Sequence, residues 1–123
     1  NIFLSAAVKP NLIDARLRWF QEWDKWVSEE IIDFVVPMNY FKEIQDFNNS
    51  IQIMKSNLTK DGLDMVIMGV STHNQDAQSA ADKILLTRLN GFHGVSIFSW
   101  NSHSNDLDWF QPITQALRQP TFD

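Results

Sequence analysis

Short, almost wholly apolar runs alternate along the chain with longer stretches in which apolar residues recur every three or four positions. The short runs are typical of buried strands, and the longer stretches are typical of helices with one apolar face. The predicted strands cover residues 2–8, 31–38, 63–70 and 92–100. The predicted helices cover residues 11–30, 41–58, 77–89 and 106–118. Pro10, a turn at 60–62 and the Asn90-Gly91 pair are expected to separate several of these elements.

The predicted order is therefore a strand followed by a helix, four times over, with the strands beginning about 30 residues apart. This period is one strand plus one crossover helix, the repeating unit of a parallel sheet. Two architectures remain open on this pattern: an open doubly wound sheet of the flavodoxin or Rossmann kind, and a segment of a barrel. Neither glycine-rich phosphate-binding pattern, GxGxxG or GxxxxGK[ST], follows a predicted strand, which disfavours the nucleotide-binding versions.

Composition and charge exclude several partners. The 123 residues carry a formal net charge of −5 and no basic cluster, so we expect no nucleic-acid partner. No apolar run approaches the length of a membrane span, and the chain has no cysteine for a disulfide or a thiolate metal site. The chain begins at Asn1, directly in an apolar strand pattern, so we expect a fragment, a processed chain or a domain of a longer protein.

The candidate functional residues follow the predicted strands, because parallel α/β folds place their sites at the carboxyl edge of the sheet. They combine polar groups with flat rings, as carbohydrate sites do, and none has metal-ligand spacing. The candidates for substrate binding are Lys9, Asn39, Tyr40, His73, Trp100 and Asn101. We expect no metal and no cofactor. Trp19, Trp23 and Trp26 lie within the first predicted helix and are expected to be packing residues.

No carboxylate follows a predicted strand. Asp33 and Asp64 lie at the amino ends of strands, where we expect them to cap or pair, while Asp106 and Asp108 open the last helix. A glycosidase normally needs two carboxyl groups flanking the scissile bond. This segment supplies no obvious pair, so its catalytic residues stay unknown.

Four groups of residues resemble the glycosyl-hydrolase-like family ten of bacterial (β/α)8 barrels. They are LSAAVKPN at 4–11, QEWDKW at 21–26 with IIDFVVPMNY at 31–40, VIMGVST at 66–72, and GFHGVSIFSW at 91–100. The resemblance implies barrel strands five to eight of an extracytoplasmic bacterial enzyme that acts on glycan chains, including peptidoglycan. It carries Lys9, Asn39, Tyr40 and Trp100 over as an active-site wall. The chain departs from the family pattern at Glu22, where the family tends to have Asp.

The sequence thus predicts an α/β fold of four consecutive βα units, the carboxyl-terminal half of a glycoside-hydrolase-like barrel, in a single partial domain over residues 1–123. Its acidic catalytic residues are expected upstream, so the fragment alone should be inactive. Exposed strand edges predict a homodimer or association with the missing half-barrel. The alternative is a noncatalytic carbohydrate-binding or structural domain with an open flavodoxin-like sheet.

Overall fold

A computed structural model describes residues 2–120 of the chain. Its strands are β1 (Ser5–Val8), β2 (Phe34–Pro37), β3 (Ile67–Ser71) and β4 (Gly94–Phe98). Its α-helices are α1 (Leu12–Arg18), α2 (Trp23–Ser28), α3 (Ile44–Asn57), α4 (Lys60–Leu63), α5 (Ala77–Leu89) and α6 (Gln111–Arg118). Two short 3-10 helices, Trp100–His103 and Leu107–Phe110, follow β4. The prediction of a mixed α/β fold with parallel strands is confirmed.

The four strands lie side by side in chain order. β1 pairs with β2 in parallel, with Ser5 opposite Phe34, and β3 pairs with β4 in parallel, with Ile67 opposite Gly94. Isolated parallel bridges, Val35 to Val66 and Met38 to Gly69, join the two pairs through β2 and β3. All four carboxyl ends therefore lie at one edge, the edge that carries the candidate residues.

The helices cover one face of these strands. The core brings strand residues such as Val8, Val35 and Met68 together with Phe47 of α3 and Ile84 of α5. Because side chains alternate along a strand, the neighbouring positions point to the other face. On that uncovered face lie Ser5, Ala7, Phe34, Val36, Ile67, Ser96 and Phe98. None of these seven belongs to the core or packs against it, although several are large and apolar.

The first predicted helix is broken in two. α1 ends at Arg18, Phe20 takes a left-handed conformation with φ 56°, and α2 begins only at Trp23. The Gln21 N–H donates to the Ala15 carbonyl over 2.8 Å and closes the turn. The prediction of one continuous helix over 11–30 was therefore wrong. The break brings the residues that follow it into contact with Lys9 at the end of β1.

Other element bounds differ more modestly. The strands are shorter than predicted, and the predicted turn at 60–62 lies within α4, which Thr59 caps by accepting the Gly62 N–H over 3.1 Å. The predicted loop after β4 contains a 3-10 helix. α5 has the predicted bounds, and Gly91 follows it with φ 82°, a conformation in which glycine is favoured. Within residues 2–120, no helix is long and apolar enough to cross a membrane.

Candidate functional site

A cavity of about 400 Å³ opens at the carboxyl edge of β1 and β2. It lies between the segment that follows β1, the end of α1 and the segment that follows β2. Its lining residues are Lys9, Pro10, Asn11, Asp14, Trp19, Met38, Tyr40 and Phe41. The cavity therefore combines one ammonium group, one carboxylate and three aromatic rings, and it contains two of the six predicted binding residues.

The backbone of Lys9 is held from both sides by the segment after the helix break. Its N–H donates to Gln21 Oε1 over 2.9 Å, and its carbonyl accepts the indole N–H of Trp23 over 2.9 Å. The Lys9 Nζ lies 4.1 Å from the centroid of the Trp19 ring, a cation–π contact. Within residues 2–120, ion pairs join only Arg16 to Asp24 and Lys25 to Glu22, so no carboxylate oxygen lies within 4.0 Å of this ammonium nitrogen.

Trp19 is one of the cavity residues that the sequence did not predict. The prediction that all three helix tryptophans are packing residues is correct for Trp23, which is fully buried, and for Trp26, which packs against the core. Trp19 is 51% exposed and lines the cavity, so that part of the prediction was wrong. The spacing from Leu12 and Ala15 placed it on the buried face, and no Gly or Pro in 11–30 marks the helix end that turns it outward.

Asn39 does not line the cavity. Its side chain is fully buried on the helix side of β2, where Nδ2 donates to the Phe47 carbonyl over 3.2 Å and lies 3.5 Å from the Met68 sulfur. Its Oδ1 has no hydrogen-bond partner among the described residues. Substrate binding by Asn39 therefore stays a prediction: its amide joins β2 to α3 and β3 beneath the site, and Met38 and Tyr40 line the cavity.

Tyr40 lines the cavity and also contacts aromatic residues at the carboxyl ends of β3 and β4. Its ring stacks on Phe98 with centroids 5.6 Å apart and planes 12° apart, and the His73 ring meets it edge-on at 6.5 Å. Partial burial raises the pKa of the Tyr40 phenol, because desolvation disfavours the phenolate. The neutral phenol can both donate and accept a hydrogen bond. The structure thus brings the predicted residues Tyr40 and His73 together and adds Phe98 to them.

Trp100 and Asn101 lie apart from the residues that line the cavity. Trp100 is 57% exposed, and one face of its ring stacks on Phe110 with centroids 4.7 Å apart. Asn101 is exposed within the same 3-10 helix. Nearby, His103 stacks on Trp109 and its Nε2 lies 2.8 Å from the Thr72 carbonyl. These contacts fix the segment after β4 against the end of β3.

The acidic residues are placed largely as predicted. Asp33 Oδ2 accepts the Leu4 N–H over 2.6 Å at the amino edge of the strands, which confirms its structural role. Asp14 alone brings a carboxylate to the cavity lining. Among the described residues, His, Asp and Glu side chains form no group of three that could hold a metal ion. The cavity can therefore bind polar and flat groups, and it lacks a facing pair of carboxylates.

The fold and the cavity together define the class: a parallel α/β protein with a polar, aromatic-lined cavity at the carboxyl edge of its strands. No family model, curated protein or solved structure matches the chain.

Proposed function

We propose that this chain is the carboxyl-terminal half, strands five to eight, of a (β/α)8 barrel, and that it supplies the glycan-contacting wall of a glycoside-hydrolase-like enzyme. The strand arrangement supports the barrel. β2 lies next to β3, whereas a flavodoxin-like sheet places its first strand beside its third. Helices cover only one face, and the apolar residues Phe34, Val36 and Ile67 of the other face suit a barrel interior.

The observation that carries the functional proposal is the cavity at the end of β1 and β2. Carbohydrates are bound by hydrogen bonds to hydroxyl groups together with aromatic faces that stack on sugar rings. In our proposal Trp19 and Tyr40 supply the aromatic surface, and the Tyr40 hydroxyl bonds a sugar hydroxyl. Lys9 supplies positive charge, either to negative charge that develops in the reaction or to a substrate carboxylate. Trp100 stacks against a sugar unit farther along the edge.

Hydrolysis requires groups that this chain does not place in the cavity. A general acid and a second carboxylate, acting as nucleophile or base, flank the bond in glycosidases. In the proposed barrel, strands one to four supply both. The isolated chain is then expected to bind glycans without cleaving them. The family resemblance adds an extracytoplasmic setting, periplasmic, cell-surface or secreted, and bacterial glycans such as peptidoglycan as substrates.

Glycan binding by the chain tests the proposal directly. We would titrate the chain with chitohexaose and with peptide-free peptidoglycan strands in a calorimeter. Trp19→Ala is expected to weaken binding about tenfold, the equivalent of about 1.4 kcal/mol for a lost stacking contact. The matched control is Phe20→Ala, because Phe20 is the next residue, is exposed and does not line the cavity. Absence of binding by the wild-type chain, or equal affinity in Trp19→Ala, would contradict the proposal.

The alternative function is a noncatalytic carbohydrate-binding domain, which would use the same cavity. The two proposals differ in what surrounds the chain. Four further βα units encoded directly upstream favour the barrel enzyme, since such barrels usually run to about 250 residues. Within that longer protein, Trp100→Ala should slow glycan hydrolysis. Unchanged hydrolysis kinetics in Trp100→Ala would show that Trp100 does not contact the glycan. Absence of any hydrolysis by the longer protein would favour the noncatalytic binding domain.

A further inference from the structure

Lys83 is a buried lysine that does not line the cavity. It lies in α5, and only 1% of its surface is exposed. Its Nζ donates to the Lys42 carbonyl over 2.8 Å and to Gln75 Oε1. No carboxylate pairs with it among residues 2–120. Burying an ammonium group is costly, and an apolar side chain would fill this position more cheaply. The hydrogen bonds to the Lys42 carbonyl and to Gln75 Oε1 offset part of this cost.

Gln75 extends this contact towards Tyr40. At the end of β3, its Nε2 donates to the Ser71 carbonyl over 2.6 Å and to the Ser71 hydroxyl oxygen over 3.3 Å. The Ser71 hydroxyl donates to Asn74 Oδ1 over 2.6 Å, and Asn74 Nδ2 donates to the Tyr40 carbonyl over 2.9 Å. Lys83 is thus connected through side chains to the backbone of Tyr40.

The two connections end on carbonyls that flank Phe41. One reaches Tyr40 through Asn74, and the other reaches Lys42 directly. Tyr40 and Phe41 both line the cavity. We propose that Lys83 is a positioning residue: its buried Nζ, which donates hydrogen bonds in both its charged and its neutral form, fixes the segment after β2 against the segment after β3, and so holds the Tyr40 ring in its stack on Phe98. This role rests on the proposed function only in so far as that ring contacts a glycan.

Tyr40 is the single tyrosine of the chain, so the ultraviolet absorbance of its phenolate reports on this position alone. Its pKa lies above the ordinary value because the ring is partly desolvated. In Lys83→Met the segment after β2 loses its buried bonds, and the Tyr40 pKa should fall towards the ordinary value of about 10. The matched control is Lys55→Met, which removes an exposed lysine whose Nζ bonds Asn90 Oδ1 over 3.0 Å. Circular dichroism at each pH checks that the fold persists.

Two milder variants carry the test if Lys83→Met does not fold. Asn74→Ala removes the bond to the Tyr40 carbonyl, and Gln75→Ala interrupts the connection from Lys83 to Ser71. Both should lower the Tyr40 pKa, and both should weaken chitohexaose binding by no more than about tenfold, because each lost bond lies within the protein and affects the glycan only through the position of the Tyr40 ring. A Tyr40 pKa unchanged from wild type in these folded variants would overturn the positioning role. Absence of chitohexaose binding by the wild-type chain would instead overturn the proposed function, and the pKa result would stand by itself.

Discussion

Substitution of Trp23 tests whether the residues after the helix break hold Lys9 in place at the cavity. Its ring is fully buried, and its indole N–H donates to the Lys9 carbonyl over 2.9 Å. Trp23→Phe keeps an aromatic ring in the core and removes both the donor and part of the volume. A partly buried carbonyl left without its donor costs about 1 kcal/mol, and the space left by the smaller ring costs about 1–2 kcal/mol. The free energy of unfolding should therefore fall by about 2–3 kcal/mol.

Urea unfolding followed by far-ultraviolet circular dichroism measures this loss. With a slope of about 1.5 kcal/mol per molar urea, the midpoint should shift by roughly 1.3–2 M. Trp26→Phe is the matched control, because Trp26 is half-buried, packs against the same core and makes no indole hydrogen bond among the described residues. Its expected cost is at most about 1 kcal/mol.

Equal midpoint shifts in the two variants would refute the reasoning, because the bond to Lys9 would then contribute nothing. The same bond has a second consequence at the cavity. Since Trp23 and Gln21 hold the Lys9 backbone from both sides, Trp23→Phe should also weaken glycan binding, whereas Trp26→Phe should leave it unchanged.

Three further predictions concern the sheet and its surroundings. The uncovered face should make the isolated chain self-associate, and Ile67→Lys should yield a monomer in sedimentation velocity; a wild-type monomer would contradict this. Gly69→Ala should destabilise the fold by about 1–3 kcal/mol in urea unfolding, because its Cβ would lie 2.6 Å from the Pro37 carbonyl oxygen and 3.0 Å from Tyr40 Cε1; an unchanged midpoint would show that β2 moves freely. Desolvation lowers the pKa of Lys83 in the folded protein, and the negative charges of Glu43, Asp82 and Asp76 partly offset this shift. At pH values between the lowered pKa and the ordinary lysine pKa, the unfolded chain therefore binds more protons than the folded protein. Wild-type stability should therefore rise with pH through that window relative to Lys83→Met, and parallel pH profiles of the two proteins would contradict it.

The periodicity of the sequence predicted the order of elements because each βα unit satisfies its own pattern. α5 is the clearest example: apolar residues spaced at helical intervals, the Asp76 cap that accepts the Ser79 N–H over 2.8 Å, and Gly91 all act within a few residues. A bond from Gln21 to Ala15 closes the break before Trp23, but the residues after the break are held by Lys9, which precedes Trp23 by 14 residues. Local patterns carry no sign of such contacts, so the sequence predicted one long helix and placed Trp19 in the core.

The burial of Asn39 was not predicted, for a different physical reason. Strand side chains alternate between two faces, so Met38 and Tyr40 share one face and Asn39 takes the other. In a strand with one polar face the alternation would be visible in the sequence. β2 reads Phe-Val-Val-Pro, apolar on both faces, as strands buried on both sides do. A strand that is apolar at every position therefore predicts which residues follow it, but not which of those residues face the site. In the barrel that we propose, the apolar residues Phe34, Val36 and Ile67, which lie on the face without helices, would pack in the barrel interior.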